Sequence, residues 1–321
     1  MIVLGIESSC DETAAAVIDA TGVRSDIVSS QDVHAAFGGV VPEIASRAHA
    51  EQIVPVVRAA LARAGVDRPD AVAATAGPGL VGAVLVGLSF GRAAALGWGV
   101  PFVPVNHLEG HLLAPLLDDP APTFPFLGLV ISGGHTTLYL AEDVGRYATL
   151  AQTVDDAVGE AFDKVARMLG LGYPGGPGVD RLAASGDPSA VPLPRPRVGE
   201  LDMSFAGLKT AVRTRLERHP DTPRADLAAS FQGAVADVLV DRVLRAAERT
   251  GVRRIAIGGG VAANSHIRAR IAATGLDAYL PPRSRCTDNG AMIANVGRLR
   301  LLAGLAPGPV SARPRWPVGE A

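Results

Sequence analysis

The sequence predicts an α/β protein built from two duplicated lobes, each a mixed sheet flanked by helices. Three observations predict it. A three-strand meander followed by alternating helix and strand occurs twice along the chain. The length of 321 residues suits two domains of roughly 100–200 residues each. The composition, 48% hydrophobic and 19% charged, supports substantial cores and excludes a disordered chain.

In the first half, Ile2–Glu7 is a short β-branched run, followed by a turn, a second apolar run at Ala14–Ile18 and an extended piece near Arg24–Ser30. Pro42 opens a helical pattern that runs through Arg63 and stops at Gly65, with Pro early and Gly late as helices prefer. Ala71–Ala74 reads as a buried strand, Leu80–Leu96 as a buried helix and Phe102–Val105 as another strand. The second half begins with strands at Phe126–Ile131, Thr136–Leu140 and Tyr147–Thr153, with Gly133-Gly134 as the first turn. Helices follow at Ala157–Leu169, Phe205–Glu217 and Ala225–Thr250, then strand Arg254–Ile257, helix Asn264–Ala273, strand Ala278–Leu280 and closing helix Asp288–Leu302. The expected division is a first lobe over 1–123, a second over 124–287, a closing helix over 288–304 that returns to the first lobe, and a tail over 305–321 that frays after Pro307. Pro188–Arg197 carries four prolines and reads as a surface excursion. A duplication of this kind leaves a cleft between lobes, where ligands commonly bind.

The net charge of −2 gives no sign of a large nucleic-acid partner. Lys164 and Lys209 are the only lysines, a bias that base composition explains more readily than phosphate binding. Two distant cysteines, Cys10 and Cys286, and a start without a basic region point to a reducing cytoplasm. The most membrane-like stretch, Gly79 to Gly91, falls short of the ~20 apolar residues a bilayer span needs, so no membrane partner is expected.

Asn106-His107-Leu108-Glu109-Gly110-His111 places two imidazoles four residues apart, one helical turn and about 6 Å along the axis. Such a pair can share one metal ion, or be no more than two histidines at a helix end. A zinc-protease reading fails on Glu109, which is rotated about 200° from each histidine and points away from the ion they would share. Ser132-Gly133-Gly134-His135-Thr136 is either a Gly-Gly hairpin turn or a nest of N–H groups for a phosphate. Gly258-Gly259-Gly260 followed by Val261-Ala262-Ala263-Asn264 joins a strand to a helix and nearly matches a dinucleotide fingerprint. Asp277 stands before the next strand rather than at its end, poorly placed to meet a ribose. Glu7-Ser8-Ser9-Cys10-Asp11-Glu12-Thr13, the first-lobe counterpart of the Ser132 turn, is either a plain acidic hairpin turn or, with three carboxylates, a site for general-base or charge-positioning work. In Thr287-Asp288-Asn289, either Thr287 or Asp288 reads as the cap of the closing helix, with a ligating role for Asp288 as the alternative.

Taken in series, several strings resemble the TsaD family of bacterial tRNA threonylcarbamoyladenosine transferases, once described as glycoproteases. They are Glu7–Thr13, Pro42–Arg47, Asn106–His111, Ser132–Thr136, Asp155–Lys164, Tyr173–Pro177, Ser204–Lys209, Gly258–Asn264 and Thr287–Asn289. The resemblance runs in order from Ile2 to about Asn295. It implies the actin/Hsp70/sugar-kinase (ASKHA) fold, two duplicated RNase-H-like lobes. It also implies one divalent metal per subunit, Fe(2+) by preference and Zn(2+) as the alternative, held by His107, His111 and Asp288. Two histidines and one carboxylate leave open positions for an oxygen of the donor.

By the same carry-over, the donor threonylcarbamoyl-AMP is bound by Val130, Ile131, Ser132, Gly133, Gly134, Asp163, Gly176, Asp180 and Asn264, with Asp11 and Glu12 acting near the reacting centre. The implied reaction is acyl transfer: the N6 amine of an adenosine beside the tRNA anticodon attacks the carbamoyl carbon, and AMP leaves. The implied partners are tRNA, a TsaB-like paralogue and a TsaE-like ATPase. Two other readings compete. A small-molecule kinase of the same superfamily would bind metal through carboxylates and water, against the histidine pair. A non-catalytic nucleotide- or tRNA-binding module would not need His107 or His111.

Overall fold

The computed structural model describes residues 1–305, 308 and 310–320; Ala306, Pro307, Pro309 and Ala321 lie outside the described residues. Two compact units emerge, the first comprising Met1–Ala121, Asp143–Tyr147 and Asp288–Ala321, the second Pro122–Glu142 and Ala148–Thr287.

The first unit opens with β1 (Val3–Glu7), β2 (Glu12–Asp19) and β3 (Gly22–Ser30). There follow α1 (Pro42–Ala64), β4 (Ala71–Gly77), α2 (Val81–Trp98), β5 (Phe102–Asn106) and α3 (His107–Leu113). Its sheet runs β3-β2-β1-β4-β5, with β1, β2 and β3 antiparallel and β1, β4 and β5 parallel. The parallel strands are short and buried throughout except at Phe102, as a sheet covered on both faces requires. One face packs on α1 and α2 through Leu4, Ile6, Val17, Ile53, Val57 and Val72. The other takes α9 (Gly290–Leu302), which packs on β1, β2 and β4. That contact is backbone on backbone: a Cβ on Gly290 would run into Ala15 and Ala16, and one on Gly5 into Gly290 and Ala294.

The second sheet repeats the plan with β6 (Phe126–Ile131), β7 (Thr136–Asp143), β8 (Arg146–Gln152), β9 (Arg254–Gly258) and β10 (Asp277–Tyr279), the β7–β8 turn at Asp143–Tyr147 belonging to the first unit. The order β10-β9-β6-β7-β8 matches the first sheet strand for strand. Its helices are α4 (Val158–Met168), α5 (Gly175–Ala183), α6 (Ala206–Arg218), α7 (Arg224–Thr250) and α8 (Ser265–Ala272). The core gathers Leu127, Leu129, Phe162, Phe205 and Phe231 around the long α7. The only two lysines converge on one carboxylate here, with Lys164 Nζ 2.9 Å and Lys209 Nζ 3.2 Å from Asp156 Oδ2. That ties α4 and α6 together.

Several expectations need correction. The closing helix is capped by Asn289, whose side chain accepts from Met292 N; neither Thr287 nor Asp288 is the cap. Asp288 thus stays outside the helix. The described tail is not frayed: Trp316 is 3% exposed and stacks under Arg313, whose N–H bonds to Ala76 O. Pro307, where fraying was expected to begin, is outside the described residues. Pro188–Arg197 has no helix or strand, yet Val191 and Leu193 anchor it in the core. Helix α5 was not expected, because its opening Gly-Gly-Pro-Gly reads as a loop. Helix α2 extends to Trp98 and is long and apolar enough to cross a membrane by length and composition. Its inner face is taken up by β4 and α1, while Val81, Leu85 and Leu96 are exposed.

Candidate metal centre and active site

The first unit concentrates its polar groups at the carboxyl ends of its parallel strands. Glu7 ends β1, Thr75 lies near the end of β4, and β5 runs directly into α3, so that Asn106 is the last strand residue and His107 the first helical one. Asn106 makes that switch possible: its Oδ1 accepts from Leu108 N (2.9 Å) and Glu109 N (3.4 Å), satisfying helix donors that otherwise lack partners. Its Nδ2 donates to Trp316 O, which ties the tail to the same corner.

Within α3, His107 and His111 stand one turn apart with ring centroids 4.7 Å from each other. Asp288 meets them from just before α9. Its Oδ1 is 3.0 Å from His111 Nε2 and 3.6 Å from His107 Nε2, and one ligand atom from each residue lies within 4.8 Å of the others. Ligands about 2.1 Å from a common ion stand roughly 3.0–3.5 Å apart, so the two spacings to Asp288 already suit a shared ion, and the histidine nitrogens would close around it. Two imidazoles and a carboxylate also match iron and zinc in chemistry. The residues fit a divalent metal. Sequence spacing supplied the histidine pair; the third donor, so distant in sequence, came from the family resemblance.

Glu109 turns away, as its helical phase requires. It accepts from Tyr147 Oη (2.9 Å) and from Arg300 Nε (3.1 Å to each oxygen). Burial raises its pKa, and Arg300 and Tyr147 offset part of that rise.

The acidic loop divides into separate parts. Glu7 is fully buried and faces inward. Its Oε2 is 2.9 Å from His107 Nδ1 and accepts from Thr75 Oγ1 (2.6 Å), while Oε1 takes the Ser9 N–H. Burial would raise this carboxyl, but the His107 ring beside it holds it below the ordinary range. Burial likewise opposes a charged His107, yet Asp288 and Glu7 prevail and lift its pKa to about 9. Asp11 and Glu12 are both partly exposed. Glu12 is pushed up to about 9, first by burial and then by Asp288 and Asp11. His49 of α1 steadies the loop: its Nε2–H donates to Cys10 O (3.0 Å), which leaves Nδ1 to accept from Thr13 Oγ1 (2.8 Å). Burial lowers the pKa of His49, consistent with this neutral form. The sequence offered no sign of that role, because His49 is one polar position on an otherwise ordinary helix.

The remaining candidate residues lie in the second unit. Val130 and Ile131 are buried strand residues, and Gly133 and Gly134 are exposed at the following turn. The N-terminus of α4 packs directly on that turn: Gly159 N donates to Ser132 O, and a Cβ on Gly159 would meet Gly133. Three candidates already serve the fold. Asp163 accepts from Gly175 N at the start of α5, which also contains Gly176. Asp180 accepts from Ser265 N and Oγ. Asn264 caps α8 by accepting from Ile267 N, and its Nδ2 donates to Gln232. The glycine turn before it leads into a short 3-10 stretch, Gly260–Ala263, rather than straight into α8.

Comparisons with known proteins add a family to this geometry. Residues 22–295 match the family model "TsaD: tRNA N6-adenosine threonylcarbamoyltransferase". A protein of that name from Bordetella petrii is 52% identical over 100% of the chain and 98% of its own length. Another from Anaeromyxobacter dehalogenans is 54% identical, covering 98% of each. Among solved structures, full-length HypF in its phosphate- and nucleotide-bound form aligns with TM-score 0.64 and 13% identity, over 97% of the chain and 47% of HypF. The chain thus spans about half of HypF. Component A of the Acidaminococcus fermentans (R)-2-hydroxyglutaryl-CoA dehydratase aligns with TM-score 0.55 and 16% identity, over 94% and 99%. At these identities the structural likeness shows the fold alone; together with the family match it agrees with the ASKHA architecture.

Proposed function

The chain belongs to the TsaD family, and from that premise we propose that it is a tRNA N6-adenosine threonylcarbamoyltransferase using threonylcarbamoyl-AMP as donor. The observation that carries the reading is the convergence of His107, His111 and Asp288, which neither a kinase nor a passive nucleotide-binding module requires.

In the proposed reaction, N6 of the adenosine beside the anticodon forms a bond to the carbamoyl carbon. The bond from that carbon to the phosphate oxygen breaks, AMP leaves with the electron pair, and N6 gives up a proton. An exocyclic amine is a weak nucleophile, so removing that proton as the bond forms lowers the barrier. Asp11 is proposed as the acceptor. Glu12, which burial, Asp288 and Asp11 push up to about 9 in metal-free protein, is proposed as its neighbouring proton carrier. His107, His111 and Asp288 would hold Fe(2+), with Zn(2+) as the alternative; such an ion, when bound, supplies Lewis acidity that polarises an oxygen of the donor.

Donor binding is assigned to the second unit. The exposed Gly133-Gly134 turn, with backbone from Val130, Ile131 and Ser132, suits a phosphate. Asp163, Gly176, Asp180 and Asn264 are proposed to complete the subsite. A TsaB-like paralogue, a TsaE-like ATPase and a cytoplasmic location belong to the same proposal. The test supplies threonylcarbamoyl-AMP, unmodified tRNA and the partner proteins, and measures modified adenosine by mass spectrometry. Modification by the wild type that disappears in the His107→Ala/His111→Ala variant is expected. No modification with active partners, or modification that survives loss of both histidines, contradicts the proposal.

A further inference from the structure

The three carboxylates of the acidic loop are not equivalent, and Glu7 is the one whose surroundings dictate a single arrangement of protons. It is fully buried at the end of β1, and its two oxygens meet three groups. Ser9 N–H can only donate, and it takes Oε1. Thr75 Oγ1–H, 2.6 Å from Oε2, donates to the same carboxylate. Oε2 therefore offers its remaining lone pair to His107 Nδ1 at 2.9 Å. An ionised carboxylate has no proton to give, so Nδ1 donates to it, and Ser9 Oγ, 3.2 Å from the same nitrogen, can share that proton as a second acceptor. Nε2, which faces Asp288 Oδ1 at 3.6 Å, is then the nitrogen that gives up its proton when the ion binds. His111 has no such support: its Nδ1 is buried without a hydrogen-bond partner among the described residues.

We propose that Glu7 is a positioning residue for the metal centre: by accepting the Nδ1 proton of His107 it fixes the ring and the tautomer that leaves Nε2 free to bind the ion. This rests on reading His107, His111 and Asp288 as a metal centre. Carboxylates behind metal-bound histidines have this effect generally, and their loss weakens metal binding by about 10–100-fold. The geometry here makes Glu7→Gln informative. If the amide oxygen stays on Ser9 N–H, the amide NH2 faces His107 Nδ1. That nitrogen must then accept, which moves the ring proton to Nε2 and closes the metal-binding lone pair. If the amide flips, Ser9 N–H loses its acceptor instead.

The test titrates metal-stripped protein with Zn(2+) against a competing chelator, and records long-range 1H–15N spectra of the histidine rings in zinc-loaded protein. In the wild type, His107 is expected with a proton on Nδ1 and metal on Nε2. Glu7→Gln is expected to weaken Zn(2+) binding by about 10–100-fold. Thr75→Val keeps Glu7 but removes one of its anchors, and is expected to weaken binding by a smaller factor. It serves alone if Glu7→Gln does not fold. Wild-type protein with metal on Nδ1 of His107, or Glu7→Gln or Thr75→Val with wild-type affinity, overturns the role of Glu7 and leaves the metal centre standing. Wild-type protein that binds neither Zn(2+) nor, in the same titration, Fe(2+) overturns the metal centre itself.

Discussion

Removing Arg300 tests whether Glu109 serves the fold rather than the chemistry. Glu109 is 1% exposed, and the Arg300 side chain, 13% exposed, meets both its oxygens at 3.1 Å. Breaking a buried pair from one side costs about 3–5 kcal/mol, because the other charge is left uncompensated. Here the lower end, about 3 kcal/mol, applies: Tyr147 still donates to Glu109, and the carboxyl can take a proton. Arg300→Met should therefore lose about 3 kcal/mol, whereas Arg300→Met/Glu109→Met replaces both groups with apolar side chains and should recover most of it. Tyr147 Oη then lacks its acceptor, leaving a residual loss of about 1 kcal/mol. The readout is denaturant unfolding followed by tryptophan fluorescence. Both tryptophans, Trp98 and Trp316, lie in the first unit, so the signal reports that unit alone. The double variant should also bind metal like the wild type, since Glu109 faces away from His107 and His111. A double variant as unstable as the single one, or one that loses its metal, refutes this account.

Other outcomes follow from the same geometry. Asn289→Ala should cost about 0.5–2 kcal/mol, the usual value of a helix cap, and keep metal binding, while Asp288→Ala should abolish metal binding, as unfolding and metal titrations would show. Gly290→Ala should destabilise the first unit by more than the ~1–3 kcal/mol of ordinary overpacking, because the new methyl meets the backbone of Ala15 and Ala16. Metal-stripped protein should lose stability as pH rises from about 5 to 9. Glu12 is raised from 4.5 to about 9 and His107 from 6.5 to about 9, so the folded state holds more protons across that range. A thermal midpoint that climbs over this interval would contradict the assignment, and bound metal should flatten the slope by replacing protons.

The duplicated succession of strands and helices was legible because each lobe has its own run of short apolar strands, and periodicity records burial. The first-lobe pattern even located β5 and the histidine pair that follows it. What periodicity could not reveal was anything made by distant residues. Asp288 and Asn289 are neighbours with opposite duties: Asn289 caps the helix, and Asp288 reaches His107 and His111. Glu7 looked like a member of an acidic cluster, and its service to His107 depends on the parallel register of β1, β4 and β5. The buried Val191 and Leu193 and the packed Trp316 were hidden by the prolines around them, which predict irregular backbone but say nothing of burial.

The most direct test of the metal centre is elemental analysis of protein purified without a histidine tag, beside the His107→Ala/His111→Ala variant. The account predicts about one iron or zinc per wild-type chain and none in the variant. Equal metal in the two proteins, or none in either after reconstitution with iron and with zinc, would contradict it.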